Sequence, residues 1–367
     1  MRGNGVRVLV VGAGIAGLAA ARTLRTWGAE VEIVERSAAA RVEGAGIYLP
    51  GNAVRALGDL GLGAQAAARA VRIERQRVGD HRGRPLMDLA VSDLWHGVGP
   101  CLAMHRADLH EVLLAGAKEV PIRWGVTIES VVDTGEDVRV TFADGTSQGY
   151  DLVLGADGVH STVRRLIFGA AASARQVGQY AWRFLARWPD SGPVWSVMVG
   201  RGGAFLTIPI GDGLVYVYCD GPLDGPRVEP RELLAGFAEP AATVLAAARD
   251  GLQGGPVEEV SLPRWSRGLT LLIGDAAHAT SPNMAEGAAM AVEDALVLAD
   301  CLAAAGTITG ALRAFEERRR PRTEWVRAQT HRRDRSRSLP TPLRNLVLGR
   351  LGEKLFHSSY APLRKRP

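Results

Sequence analysis

Residues 6–35 hold the feature that narrows the fold most. The β-rich run VRVLVV passes directly into GAGIAG, helical periodicity follows in LAAARTLRTWG, and a second apolar run, EVEIVER, ends in Glu35. A strand that feeds a helix through such a turn sets free backbone N–H groups and the positive helix end against a pyrophosphate, and glycine lets the backbone come close. Gly12, Gly14 and Gly17 match G-x-G-x-x-G, and the turn Gly12, Ala13, Gly14, Ile15, Ala16 and Gly17 is predicted to cradle a dinucleotide. Glu35, with Arg36 beside it, is predicted to accept hydroxyls of the adenosine ribose. A glycine-rich turn without ligand is the plainer alternative; strand, fingerprint, helix, strand and terminal acid in that order argue against it. The unit alone does not separate NAD from FAD.

Composition sets the outer limits. The chain has 367 residues, 47% apolar and 23% charged, which is ordinary globular composition for one compact unit or two closely joined domains. A net charge of +5 suits anionic small molecules or plain solubility and does not by itself indicate nucleic acid. Cys101, Cys219 and Cys301 are widely spaced without a CxxC pair, so a reduced, cytoplasmic setting is expected, with neither a disulfide framework nor a metal cluster. The apolar start of the chain resembles the core of a signal peptide, but its spaced glycines and the lack of a cleavage region argue for folded structure. Glu293, Asp294 and Asp300 interrupt the other apolar tract, MAVEDALVLADCLAAA, and no membrane span is predicted.

Two later segments repeat the pattern of apolar strand and tight turn. YDLVLGADGVHSTVR, residues 150–164, runs into Asp157 and Gly158, and Ser161 is placed to cap the helix that follows. LTLLIGDAAHATSP, residues 269–282, runs into Gly274 and Asp275, with a helix expected near residue 285. Asp275, His278, Ser281 and Glu286 suggest a hydrolase or a metal site at first glance. Residues so close in sequence rarely reach the geometry of a Ser-His-Asp arrangement.

GAGIAG with Glu35, GADGVHSTVR and IGDAAHATSP together resemble the three signatures of the class A flavoprotein monooxygenases, the group that includes para-hydroxybenzoate hydroxylase, salicylate hydroxylase and FAD-dependent urate hydroxylase. Segments 44–63, 105–114 and 316–326 support the resemblance, which covers almost the whole chain. It implies an α/β fold with a Rossmann-like FAD-binding domain of the para-hydroxybenzoate hydroxylase type and an inserted mixed β-sheet substrate domain. The FAD part would comprise residues 1–75, 100–175 and 263–335, the substrate part 76–99 and 176–262, and residues 336–367 a basic helical tail. Arg106 would approach the flavin, Gly46 would lie in its neighbouring loop, and Asp157 with Gly158 would serve both FAD and NAD(P)H binding. Gly274 and Asp275 would hold the ribitol chain, and Pro282 would lie at the reactive edge of the ring. Glu286, Gly287 and Ala288 would open a helix whose dipole faces N1 of the flavin. His278 becomes a packed or hydrogen-bonded residue behind the ring, and Asn52 reads as the N-cap of AVRALGDLGL. The family pattern Pro-x-x-Gly-x-Gly is broken here, because Ala285 replaces the first glycine.

The implied chemistry belongs to the cofactor. NADH or NADPH reduces FAD, dioxygen adds at C4a, and the hydroperoxide passes an oxygen atom to an electron-rich phenolic, heteroaromatic or polycyclic substrate. A reductase, dehydrogenase or epoxidase of the same fold is the alternative, and a non-catalytic flavin- or nucleic-acid-binding protein the alternative of another class. A halogenase is disfavoured because no W-x-W-x-I-P segment occurs. Residues 176–262 read as a largely antiparallel sheet with a helical insert near 231–250, and aromatic residues concentrate between 180 and 218. Period-two alternation puts Tyr216 and Tyr218 on one face and sets Arg183 opposite Trp182, so Arg183, Tyr216 and Tyr218 join Pro282 as candidates at the reacting centre. The arginine-rich segment 313–337 reads as a solvated basic helix. The expected partners are a small aromatic substrate and dioxygen, without nucleic acid or stable membrane insertion, and the oligomeric state is not written in the sequence.

Overall fold

The computed structural model describes residues 3–40, 45–201, 203–224, 228–337 and 339–367. Gly44, at the head of the 44–63 segment, lies outside them. Strands Leu152–Gly155, Arg7–Val11, Glu30–Glu35 and Ile122–Trp124 lie side by side and parallel, Thr270–Leu272 extends the sheet in the same sense, and the short strand Ser266–Arg267 closes its edge antiparallel. Val8, Leu9 and Val10 are completely buried, as a parallel strand covered on both faces requires. Helices Ile15–Trp27 and Gly287–Ala304 pack together on this sheet.

Strand order reverses between Arg7–Val11 and Leu152–Gly155, and open α/β sheets bind ligands at such a switch point, outside the carboxyl ends of the strands. Three strands end there. Arg7–Val11 delivers the glycine turn, Leu152–Gly155 delivers Asp157, and Thr270–Leu272 delivers Asp275.

A second sheet has seven strands, in the order Ala248–Glu259, Arg175–Arg187, Leu214–Pro222, Ala204–Gly211, Val194–Val199, Arg75–Asp80 and Pro85–Ala90. It is antiparallel except where Val194–Val199 runs parallel to Arg75–Asp80, so the segment before residue 100 and the long segment after 175 build one mixed sheet. One face packs Trp182, Phe184 and Phe205 against Leu234 and Val244 of the helical insert. The other face looks across a cavity toward the first sheet.

The arginine-rich helix Ile308–Arg337 is not the solvated basic helix expected. Arg319 is completely buried between Glu293 and Asp294, at 2.8 Å from each, and Arg322 binds both oxygens of Glu293. These two carboxylates stand inside an apolar helix and require cations there, so the arginines turn inward. The segment expected as a basic tail forms helix Thr341–Tyr360, which packs on strand Pro85–Ala90 with Phe356 and Tyr360 buried. Cys101, Cys219 and Cys301 are buried and unpaired. Among the described residues no helix is long and apolar enough to cross a membrane.

Candidate functional site

The glycine turn shows what each glycine is for. Gly12 has φ +108°, and a Cβ there would lie 2.5 Å from the Ala156 carbonyl oxygen; a Cβ at Gly17 would lie 1.9 Å from the Gly12 carbonyl oxygen. These two glycines let strand, turn and helix close on one another. Gly14 differs, because a Cβ there meets nothing within 4 Å and would point into open space. The helix beginning at Ile15 has no side-chain cap and no acid in its first turn, so its first N–H groups and its positive end remain available to an anion. Glu35 accepts N–H groups of Ala13 and Ser37, each at 2.9 Å. Burial pushes its carboxyl up, but those two donors together with the Ser37 hydroxyl and the Arg36 charge outweigh it and hold the pKa below the usual range, so Glu35 is an anionic acceptor. His110, which the sequence did not single out, places Nε2 2.7 Å from the Ala13 carbonyl oxygen.

The second and third motifs are tied together. Asp157 receives the Ser161 hydroxyl and the N–H groups of Thr162 and Val163, while Ser161 Oγ accepts from the Arg164 N–H at 2.9 Å, so the cap expected of Ser161 is present. The Arg164 guanidinium donates to the carbonyls of Ala172, Ala276 and Val159 and thereby fixes the Asp157 turn against the helix that starts at Asp275. Replacing Arg164 with methionine is expected to cost about 1–3 kcal/mol, because the buried Ala276 carbonyl and the part-buried carbonyls of Ala172 and Val159 lose their donor. A melting temperature equal to the parent's would contradict this bracing role.

His278 Nε2 stands 2.7 Å from Asp294, as a hydrogen-bonded residue behind the site should. Ser281 Oγ is buried and has no partner among the described residues, so no serine–histidine pair forms. Ala285 adopts φ +55°, the left-handed conformation in which glycine is the unstrained choice. The departure from the family pattern therefore stores about 1 kcal/mol of strain beside Pro282.

Asn52 is not the N-cap expected. Helix Gly51–Asp59 is preceded by Pro50, and Asn52 is completely buried, donating from Nδ2 to Glu286 Oε2 at 2.9 Å and to Glu293 Oε1 at 3.3 Å. Two buried carboxylates need donors, and that need overrides a local cap. Glu286 accordingly turns toward Asn52, and its side chain does not line the cavity, whereas its neighbours Ala285, Gly287 and Ala288 do. Burial first, and Glu293 nearby, push the Glu286 carboxyl up to about 8 against the pull of the Asn52 amide. An unfolded chain ionises this group near 4.5, so between that pH and about 8 the folded state keeps a proton that the unfolded state has released. Stability from this group therefore falls as pH rises through the window. Glu286→Gln is expected to remove the decline, its melting-temperature advantage over the parent growing between about pH 5 and 8 and levelling off above that. An advantage that stays flat with pH would rule out the protonated carboxyl.

The cavity between the two sheets measures about 1150 Å³. Sites for drug-sized ligands span roughly 300–1,000 Å³, so this one has room for more than one drug-sized molecule. Gly12, Ala13, Gly14, Ile15, Ala16 and Glu35 line one end. Arg36, Asp157 and Gly158 also line it, as do Asp275, Pro282, Gly287 and Ala288, while Gly46 and Arg106 line it next to the second sheet, where a Cβ on Gly46 would lie 2.4 Å from Tyr216 Cβ. Gly17 and Gly274 lie behind the wall, where Gly274 donates its N–H to Asp294 at 2.8 Å. The opposite wall carries Arg183, Tyr216 and Tyr218, with Trp182 on the far face of the sheet as the alternation predicts. The Arg183 guanidinium lies 5.4 Å from the Tyr218 ring centre, and the Tyr218 hydroxyl donates to Asp220, which pairs with Arg337. Two further groups went unnoticed in the sequence. Trp195 Nε1 and Gln76 Oε1 are buried, lie on paired residues of neighbouring strands, and have no partner among the described residues. Nothing in RQRVGD or VWSVMV marks them, because their pairing depends on strand register.

A family model described as an FAD binding domain matches residues 5–195 and 233–330. The chain is 37% identical over 349 residues to 2-heptyl-3-hydroxy-4(1H)-quinolone synthase of Pseudomonas aeruginosa, covering 88% of this chain and 87% of that one. It is 35% identical over 349 residues to 3-amino-4-hydroxybenzoate 2-monooxygenase of Streptomyces cremeus, covering 90% and 86%. The chain belongs to the class A FAD-dependent aromatic monooxygenases. The structure of Klebsiella pneumoniae HpxO complexed with FAD and uric acid superposes on this monooxygenase with a TM-score of 0.82 at 26% identity, covering 98% of this chain and 92% of that one. The residues present fit FAD: an open Cβ direction at Gly14, an uncapped helix end beside it, and a carboxylate in the position for a ribose. The monooxygenase is a flavoprotein.

Proposed function

We propose that this monooxygenase uses NADH or NADPH and dioxygen to hydroxylate an electron-rich aromatic molecule held between the flavin and the Arg183 wall. The observation that carries this reading is the single cavity that joins the glycine turn, Pro282 and the Arg183–Tyr216–Tyr218 wall. Bound there, FAD supplies acceptance of reducing equivalents from the nicotinamide and activation of dioxygen at C4a.

The protein binds, orients and excludes water. Residues 12–17 and the helix end at Ile15 would hold the pyrophosphate, Glu35 the ribose, and Asp275 the ribitol, while Pro282, Gly287 and Ala288 bring backbone up to the ring. Arg106 and Asp157 would stand at its margins. Tyr216 is pushed above the ordinary tyrosine range by burial, with Arg183 opposing, so it stays protonated and can donate to a substrate oxygen. Tyr218 donates to Asp220 and positions Arg183 through its ring rather than acting on substrate. Arg183 stabilises negative charge on a ring oxygen as the ring becomes more electron-rich. The division into an FAD part and a substrate part belongs to the same proposal, supported by the two sheets that face each other across the cavity, as does action in a reducing compartment such as the cytoplasm.

Phenolic and polycyclic aromatics tested for stimulated NAD(P)H oxidation and oxygen uptake should yield at least one active compound. With it, Arg183→Met is expected to lower kcat/KM by about ten- to a hundredfold, the value of a charged hydrogen bond, while FAD content stays unchanged. An unchanged kcat/KM would remove Arg183 from the site.

A further inference from the structure

Register across the second sheet lines up residues that are far apart in sequence. Arg183 pairs with Tyr218, Tyr218 with Leu206, Leu206 with Val197, Val197 with Val78, and Val78 with Met87. All six line the cavity, so its floor carries a cross-strand row that is polar at the Arg183 end and apolar from Leu206 to Met87, beside a second row of Tyr216, Ile208, Trp195 and Gln76. The apolar four are only half-buried, although Phe205 and Met198, on the other face of the same strands, are 2% and 7% exposed. The row therefore leaves apolar surface uncovered inside a cavity.

The C-terminal helix Thr341–Tyr360 roofs this end. Val347, Leu348, Gly352 and Phe356 line the cavity from above, and Gly352 sits so close that a Cβ there would lie 3.3 Å from Met87 Sδ. At its rim Leu339 and Leu355 line the cavity and yet are 37% and 48% exposed, which makes an apolar mouth.

The geometry points to an amphiphilic substrate: an oxygenated aromatic head at Arg183 and Tyr216, and an unbranched hydrocarbon tail lying along Leu206, Val197, Val78 and Met87 beneath the C-terminal helix. This rests on the proposed aromatic hydroxylation for the head and on the row itself for the tail. Leu206, Val197, Val78 and Met87 offer a polar extension lying on them no hydrogen-bonding side chain, whereas each methylene laid along them covers apolar surface.

The test is binding of 4-alkylphenols, from methyl to heptyl, to the FAD-loaded protein, followed by the change in the visible flavin spectrum. Burial of methylenes predicts affinity rising about two- to fourfold per carbon, on the order of a hundredfold or more across the series. Val197→Trp on the floor and Leu348→Trp in the roof should each cut the heptyl-to-methyl affinity ratio at least about tenfold. An affinity that does not depend on chain length in the parent protein overturns the inference, as does a ratio unchanged in both tryptophan variants. Chain-length-dependent binding without oxygen insertion keeps the tail site and sinks the hydroxylation; oxygen insertion into short phenols without a chain-length gradient does the reverse.

Discussion

A Gly14→Val variant is expected to fold like the parent and to lose its flavin. Gly14 has φ −81° and ψ −172°, extended backbone open to any residue, and a Cβ there has no neighbour within 4 Å beyond the adjoining chain. The added atoms stand at the N-cap of the helix Ile15–Trp27, where the pyrophosphate would approach the N–H groups. The expected loss of FAD affinity is at least about a hundredfold, or about 2.7 kcal/mol, with melting of the apo form unchanged. Absorbance of the purified protein near the flavin bands and titration of the apo form measure both quantities. Retained flavin at the parent's affinity would move the pyrophosphate away from this turn. Gly12 and Gly17 would not give so clean a result, since Cβ atoms there strike backbone and would damage the fold as well as the site.

The largest effect on stability is expected at Arg319. Arg319→Met keeps much of the volume but leaves Glu293 and Asp294 buried with one guanidinium fewer, and unpaired buried charges cost about 3–5 kcal/mol. For a chain of this length that corresponds to a Tm lower by about 5 °C, read by thermal melting with FAD present and absent. Asp294 also accepts the Gly274 N–H and contacts His278, so the turn that carries Asp275 should loosen and FAD should bind more weakly. A Tm within about 1 °C of the parent would mean that Arg322 and His278 neutralise the pair without Arg319.

How much of this could be read in the sequence depended on how local each cause was. The βαβ start was legible because strand, glycine turn, helix and second strand follow one another directly in the chain and Gly17 answers to Gly12 five residues before it, although the neighbour that requires Gly12, Ala156, lies far off in sequence. Ser161 was legible because a cap is local. Arg319 and Asn52 were not, since their partners Glu293, Asp294 and Glu286 lie on other elements and only the packing of the helices brings them together. An arginine-rich helix and a solvated one have the same composition. The polar-to-apolar floor was hidden for a related reason: Val78, Val197 and Leu206 are unremarkable in their own strands, and register alone sets them in line with Arg183. Trp195 and Gln76 share that origin. Ala285 was visible as a departure, and its left-handed backbone gives the departure a physical cost.

On the proposed reaction, one oxygen atom from dioxygen enters an aromatic substrate at the expense of NAD(P)H. Turnover of an active phenol under oxygen-18 gas, with mass spectrometry of the product, tests it most directly. One labelled oxygen per product molecule and one NAD(P)H consumed for each are expected. An unlabelled product, or complete turnover under anaerobic conditions, would contradict it and leave a flavin reductase or dehydrogenase on this fold.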